Sequence, residues 1–125
     1  MVKLKSKKCG IRESDEQIRI FEFSEFHPKL RWMFAIPNGG YRDIREATRL
    51  KKQGVKSGVS DMFLPVPNSK YHGLFIELKV GKNKATTLQE KFIDFVRGQG
   101  YKAEVCYGAD EAIHTILNYL ECKNV

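Results

Sequence analysis

The sequence predicts an α/β domain: a mixed β-sheet with helices on its flanks. Three observations lead there. The apolar run ending LFIELKV (74–80) is followed by a helical stretch and then by a second strand-like run, YKAEVCY (101–107). A strand–helix–strand crossover of that kind makes a parallel pair. The runs DMFLPV (61–66) and HGLFIELKV (72–80) are joined by a short loop holding Pro67, Asn68 and Ser69, which makes an antiparallel pair. Helical patterns alternate with these strands along the chain, so the sheet has helices to cover it.

Taken in order, ESDEQIRIFEFSEF (13–26) reads as a helix entered at Ser14, with Ser14 and Gln17 at capping-box spacing and Pro28 closing it. Ile18, Ile20 and Phe21 in that stretch also allow a strand. RWMFAI (31–36) is a short strand closed by the turn Pro37-Asn38-Gly39-Gly40. DIREATRLKKQ (43–53) is a basic helix stopped by Gly54, and the strands 61–66 and 72–80 follow. Thr87 can cap the next helix with Glu90 three residues on, though Thr86 and Gln89 fit a capping box as well. Its expected core stripe is Leu88, Phe92, Phe95 and Val96, and it stops at Gly98–Gly100. After strand 101–107, Asp110 begins a last helix with the stripe Ile113, Ile116, Leu117 and Leu120. The order is α-β-α-β-β-α-β-α, with no internal repeat.

A chain of 125 residues, 42% apolar and 30% charged, is expected to form one domain over 1–125, with 1–12 a basic N-terminal segment. Its apolar runs are too short to span a bilayer, and the start MVKLKSKK has no apolar stretch behind it to make a signal peptide. The expected location is cytoplasmic. Twenty-two Lys+Arg against 15 Asp+Glu give a formal +7, which suits a polyanionic partner and also simple solubility. Cys9, Cys106 and Cys122 are scattered, as are His27, His72 and His114, so neither a disulfide framework nor a zinc site is expected.

The informative anomaly lies in LFIELKV. Side chains alternate along a strand, so Leu74, Ile76, Leu78 and Val80 share one face and Phe75, Glu77 and Lys79 the other. Two charges on one face of an apolar strand are costly unless they are paired or bind an ion. Asp61 opens the neighbouring strand, so two carboxylates and an ammonium can meet. Such a set suits metal-dependent phosphodiester cleavage, because a hard cation such as Mg²⁺ takes oxygen ligands and leaves room for a substrate phosphate. Lys79, about 7 Å along the strand from Glu77, would hold the attacking water or the scissile phosphate. By itself E-x-K equally fits an exposed strand with an i,i+2 ion pair.

The sequence resembles the VRR-NUC family, a branch of the PD-(D/E)XK nuclease superfamily. The resemblance runs from about Glu13 to Tyr107. It rests on Glu13-x-x-x-Gln17, AIPNGGYR (35–42), GVKSGVSDMFLP (54–65), GLFIELKVGKNK (73–84) and Leu88-Gln89. Ser60 departs from the superfamily's Pro before the Asp, a position that is not a ligand. The resemblance implies a restriction-endonuclease-like fold and a Mg²⁺- or Mn²⁺-dependent DNA endonuclease without an organic cofactor. It implies metal coordination by Asp61, Glu77 and the carbonyl of Leu78, with Lys79 as the catalytic lysine and Gln89 orienting the site. Glu13 would be the acid from the first helix, with Glu16 as its rival.

For binding, the Asn38-Gly39-Gly40 turn with Arg42 can seat a phosphate through free N–H groups, although a turn alone explains Asn-Gly. Arg45, Arg49, Lys52, Lys56, Lys82 and Lys84 form a possible track for a DNA backbone, or else a solvated face. Stand-alone members of the family look like homodimers acting on branched DNA such as Holliday junctions. Two other readings compete: a non-catalytic nucleic-acid-binding module, and a nuclease of linear or single-stranded ends. The buried acids argue against the first, since a pure binder gains nothing from carboxylates that repel phosphate.

Overall fold

A computed structural model describes residues 10–37 and 43–121. Helix α1 (Glu13–Ser24) leads through a 3₁₀ turn (Pro28–Leu30) to strand β1 (Phe34–Ala35), and helix α2 (Ile44–Lys52) precedes strand β2 (Met62–Leu64). Strand β3 (Leu74–Lys79), helix α3 (Thr87–Gly98), strand β4 (Lys102–Tyr107) and helix α4 (Ala109–Leu120) complete the order. The four strands lie in the order β1-β2-β3-β4, antiparallel at β1/β2 and β2/β3 and parallel at β3/β4. Both pairings inferred from loop length are therefore present. Among the described residues no helix is long and apolar enough to cross a membrane.

One face of the sheet makes the main core. Met62, Leu64, Leu74, Ile76, Leu78 and Cys106 pack there against Ile20 of α1 and Ala109, Ala112, Ile116 and Tyr119 of α4. Burying a large aliphatic side chain contributes about 1.5–3 kcal/mol, so this layer dominates the stability. Polar contacts tie α1 to α4. Glu16 Oε1 accepts the N–H of Ala109 at 2.8 Å, and Arg19 reaches Asp110 at 2.7 Å. Tyr119 donates its hydroxyl to the Val66 carbonyl at 2.6 Å, anchoring the β2–β3 loop.

The other face carries helix α3. Phe75, Phe92, Ile93, Val96, Ala103 and Val105 form a second, smaller cluster under α3. This explains where the expected α3 stripe fails: Leu88 and Phe95 are exposed, and Ile93 takes their place in the core. A single helix on a sheet face needs a narrow stripe, and Phe92, Ile93 and Val96 supply it. The α3 cap is the Thr86/Gln89 box, not Thr87.

Other boundaries differ from the sequence expectation. Helix α1 starts from Arg12 with no side-chain cap, so Ser14 lies inside the first turn. Strand 31–36 shrinks to two residues because Arg31 still belongs to the 3₁₀ turn that Pro28 starts. Glycine matters most at Gly58 (φ +92°), where a Cβ would lie 2.8 Å from the Leu88 carbonyl oxygen. That close approach seats the segment before β2 on the start of α3, and so fixes where Asp61 begins.

Candidate active site

The charges meet on this second face, in the rows next to the α3 cluster. Register explains it. Met62 pairs with Ile76 and Phe63 with Phe75, so Asp61, one residue beyond the ladder, falls opposite Glu77. The Asp61 N–H donates to the Ile76 carbonyl at 3.0 Å, holding that placement. Across the face run parallel rows. Phe34, Phe63, Phe75 and Ala103 form the first, and the next holds Asp61, Glu77 and Val105. Lys79 and Tyr107 form the outermost pair. Aromatic packing in the first row, with Phe63 and Phe75 ring centroids 4.4 Å apart, makes a rigid floor beneath the acids.

Glu77 is 1% exposed and Lys79 9%. Lys79 Nζ lies 3.6 Å from Glu77 Oε2. Glu77 Oε1 is enclosed and meets no hydrogen-bond donor among the described residues. Asp61 Oδ2 accepts the backbone N–H of Leu78 at 2.7 Å, which fixes its carboxyl against β3. Burial pushes the Glu77 carboxyl up to about 8, and repulsion from Asp61 adds to it while Lys79 opposes it. Burial also raises Asp61, against the lowering effect of the Leu78 N–H. Both acids are thus held at raised proton affinity, chiefly by burial.

This has a consequence for stability. A carboxyl raised in the folded state keeps a proton that the unfolded chain has lost, so its contribution to folding is full below pH 4.5 and is lost as pH rises through about 8. In EDTA, unfolding free energy should fall between those limits, by up to about 1.4 kcal/mol per pH unit for one proton. Glu77→Gln should flatten the decline. Urea melts at pH 5, 6.5 and 8 measure it, and equal slopes in the two proteins would contradict the assignment.

The residues fit a divalent cation. An enclosed carboxylate oxygen without a donor, beside a second carboxylate, makes an oxygen-rich site suited to a hard cation. Among the described residues no three His, Cys, Asp or Glu side chains form a ready cage. Two carboxylates with room for solvent and phosphate are the usual provision for Mg²⁺.

The remaining expected residues separate clearly. Glu13 lies near enough to Asp61 and Lys79 for both charges to act on it, and its carboxyl is raised, mostly by burial. Glu16 instead holds the N-terminus of α4 and Arg19. Gln89 gives its Oε1 to the Thr86 N–H, and within the described residues it does not bond the acids or Lys79. Arg45, Arg49, Lys52, Lys56, Lys82 and Lys84 are all exposed, the first three on α2, which has no buried residue. Asn38, Gly39, Gly40 and Arg42 lie outside the described residues, as do Cys9 and Cys122. Tyr107, which the sequence marks only as a strand end, comes beside Lys79; finding it requires the β3/β4 register.

The model of the VRR-NUC domain family matches residues 12–110, a span holding every element from α1 to β4 and the acids and lysine of the second face. The chain belongs to the VRR-NUC family. A solved structure described as a VRR_NUC domain protein is similar to it at TM-score 0.81 and 29% identity, covering 92% of this chain and 93% of that one. None of the curated proteins matches the chain. VRR-NUC domains are nuclease domains, and the mixed four-stranded sheet with its four helices has the architecture of that structural neighbour.

Proposed function

We propose that this VRR-NUC domain is a divalent-metal-dependent DNA endonuclease, with Asp61, Glu77 and Lys79 at its centre. The observation that carries the reading is the buried Glu77 carboxylate opposite Asp61, whose Oε1 has no hydrogen-bond donor among the described residues and whose Oε2 lies 3.6 Å from Lys79 Nζ. Asp61, Glu77 and the Leu78 carbonyl would hold Mg²⁺ or Mn²⁺. The cation, when bound, supplies Lewis-acid charge to the scissile phosphate and lowers the pKa of water. Lys79, nearly buried and fixed by Glu77, orients the attacking water or holds a phosphate oxygen. Glu13, whose carboxyl is raised chiefly by burial, would meet the metal from α1 directly or through water. Gln89 acts from the start of α3 through the amide group that its cap leaves free.

The exposed cations of α2, with Lys56, Lys82 and Lys84, would follow the DNA backbone towards this centre, with Asn38, Gly39, Gly40 and Arg42 as further phosphate-binding residues. Replacing Arg45, Arg49 and Lys52 together should weaken binding alike on all sequences. It should also flatten the log–log salt dependence by up to about 0.9 per lost duplex contact. Fluorescence anisotropy at several salt concentrations reads both. An unchanged slope would make α2 a solvated face.

A single site cuts one strand per binding event, so paired cutting of branched DNA calls for two copies. Of the apolar residues that could meet a second copy, Phe21 and Phe23 pack on the core, whereas Phe26, Trp32 and Phe34 are exposed. The last three favour a homodimer through the β1 side. The test is labelled linear, nicked, flap and four-way DNA incubated with Mg²⁺, Mn²⁺ or EDTA, alongside light scattering. Metal-dependent, paired nicking of the four-way substrate by a dimer supports the reading. A monomer that cuts linear duplex equally well would remove the branched-DNA part and keep the nuclease.

A further inference from the structure

Tyr107 ends β4 in register with Lys79, and the Gly108 N–H donates to the Lys79 carbonyl at 2.9 Å, so the two residues are fixed side by side. Register partners on adjacent parallel strands project to the same face, about 4.8 Å apart. Along that face β4 carries Ala103, fully buried, then Val105, half-buried, and then Tyr107, 42% exposed at the open rim. The other rings of this face interlock: Phe34, Phe63, Phe75, Phe92 and Tyr101 contact one another edge-on or tilted. Among the described residues the Tyr107 ring touches none of them, and its hydroxyl finds no partner.

A large ring left free one strand away from the lysine at the reacting centre has a clear use in a site that takes nucleic acid. We infer that Tyr107 is a substrate-binding residue whose ring stacks on an unpaired base next to the scissile phosphate. This rests on the nuclease reading above and adds a substrate preference to it. Bases in continuous duplex already stack on each other and are closed to such a contact, whereas a base at a branch, flap or gap can turn out onto the ring. A ring accepts any base, so the contact selects for structure without reading sequence.

The test uses Tyr107→Ala and Tyr107→Phe with flap and four-way DNA carrying 5-iododeoxyuridine at each nucleotide around the branch. Long-wavelength irradiation should crosslink the wild-type protein at Tyr107, read by mass spectrometry of the tryptic peptides. Tyr107→Ala should lose that crosslink and raise KM on branched DNA by at least about fivefold, the low end of one base–aromatic stack. Tyr107→Phe, which keeps the ring, should rescue both. KM within twofold of wild type in the alanine variant, or a phenylalanine variant no better than alanine, would overturn the inference. A wild-type protein that crosslinks at Tyr107 yet cleaves nothing with either metal would support stacking and defeat the hydrolytic reading instead.

Discussion

Asp61→Asn and Glu77→Gln should each lower the rate of DNA cleavage on the order of a thousandfold, the scale seen when one preorganised electrostatic group is removed from a reacting centre. Neither change should unfold the protein. Each side chain keeps its shape, and each substitution removes one of two like charges that burial already disfavours. Asp61→Asn can still accept the Leu78 N–H through its amide oxygen. Glu77→Gln removes the carboxyl whose affinity for a proton is raised furthest, so the variant should melt higher than wild type in EDTA at pH 8. Loss of activity with gain of stability separates a functional pair from a structural one. Single-turnover cleavage and thermal melts on the same preparations check both halves. Activity within tenfold of wild type in either variant would count against the assignment.

Lys79→Met should lower cleavage by about a hundredfold or more, within the range for a residue that positions or transfers a proton. Its effect on stability should run opposite to that of the acid variants. Lys79 is the cation that lowers the Glu77 carboxyl, and its loss leaves Glu77 holding its proton more firmly. Metal-free Lys79→Met should therefore become less stable than wild type as pH rises, when Glu77 must ionise without its partner. Cleavage at saturating metal, with urea melts at pH 6 and pH 9, distinguishes this from a general packing defect. A variant equally destabilised at both pH values has lost only packing.

Much of this arrangement is legible in the sequence. The alternation in LFIELKV separates the apolar face from the charged one, and loop lengths set the directions of β2, β3 and β4. The pairing of Asp61 with Glu77 is less accessible, because it depends on a register that loop length alone leaves open. The same holds for Tyr107, twenty-eight positions from its neighbour Lys79. Leu88 and Phe95 mislead for another reason. Periodicity marks apolar residues on a helix, yet only the width of the surface beneath decides how many are buried. The choice between Glu13 and Glu16 turns on the N–H of Ala109, which engages Glu16 from a helix more than ninety residues away.

Thermal melts with and without Mn²⁺ show whether Asp61 and Glu77 form a cation site. A cation that binds only the folded state raises its stability with concentration, by about 2.7 kcal/mol at a hundredfold excess over Kd. The wild-type midpoint should rise by several degrees as Mn²⁺ is added at pH 7.5, and EDTA should reverse the rise. Asp61→Asn should show little of it. An equal Mn²⁺-dependent rise in wild type and Asp61→Asn would place the cation elsewhere and remove Asp61 from the metal site.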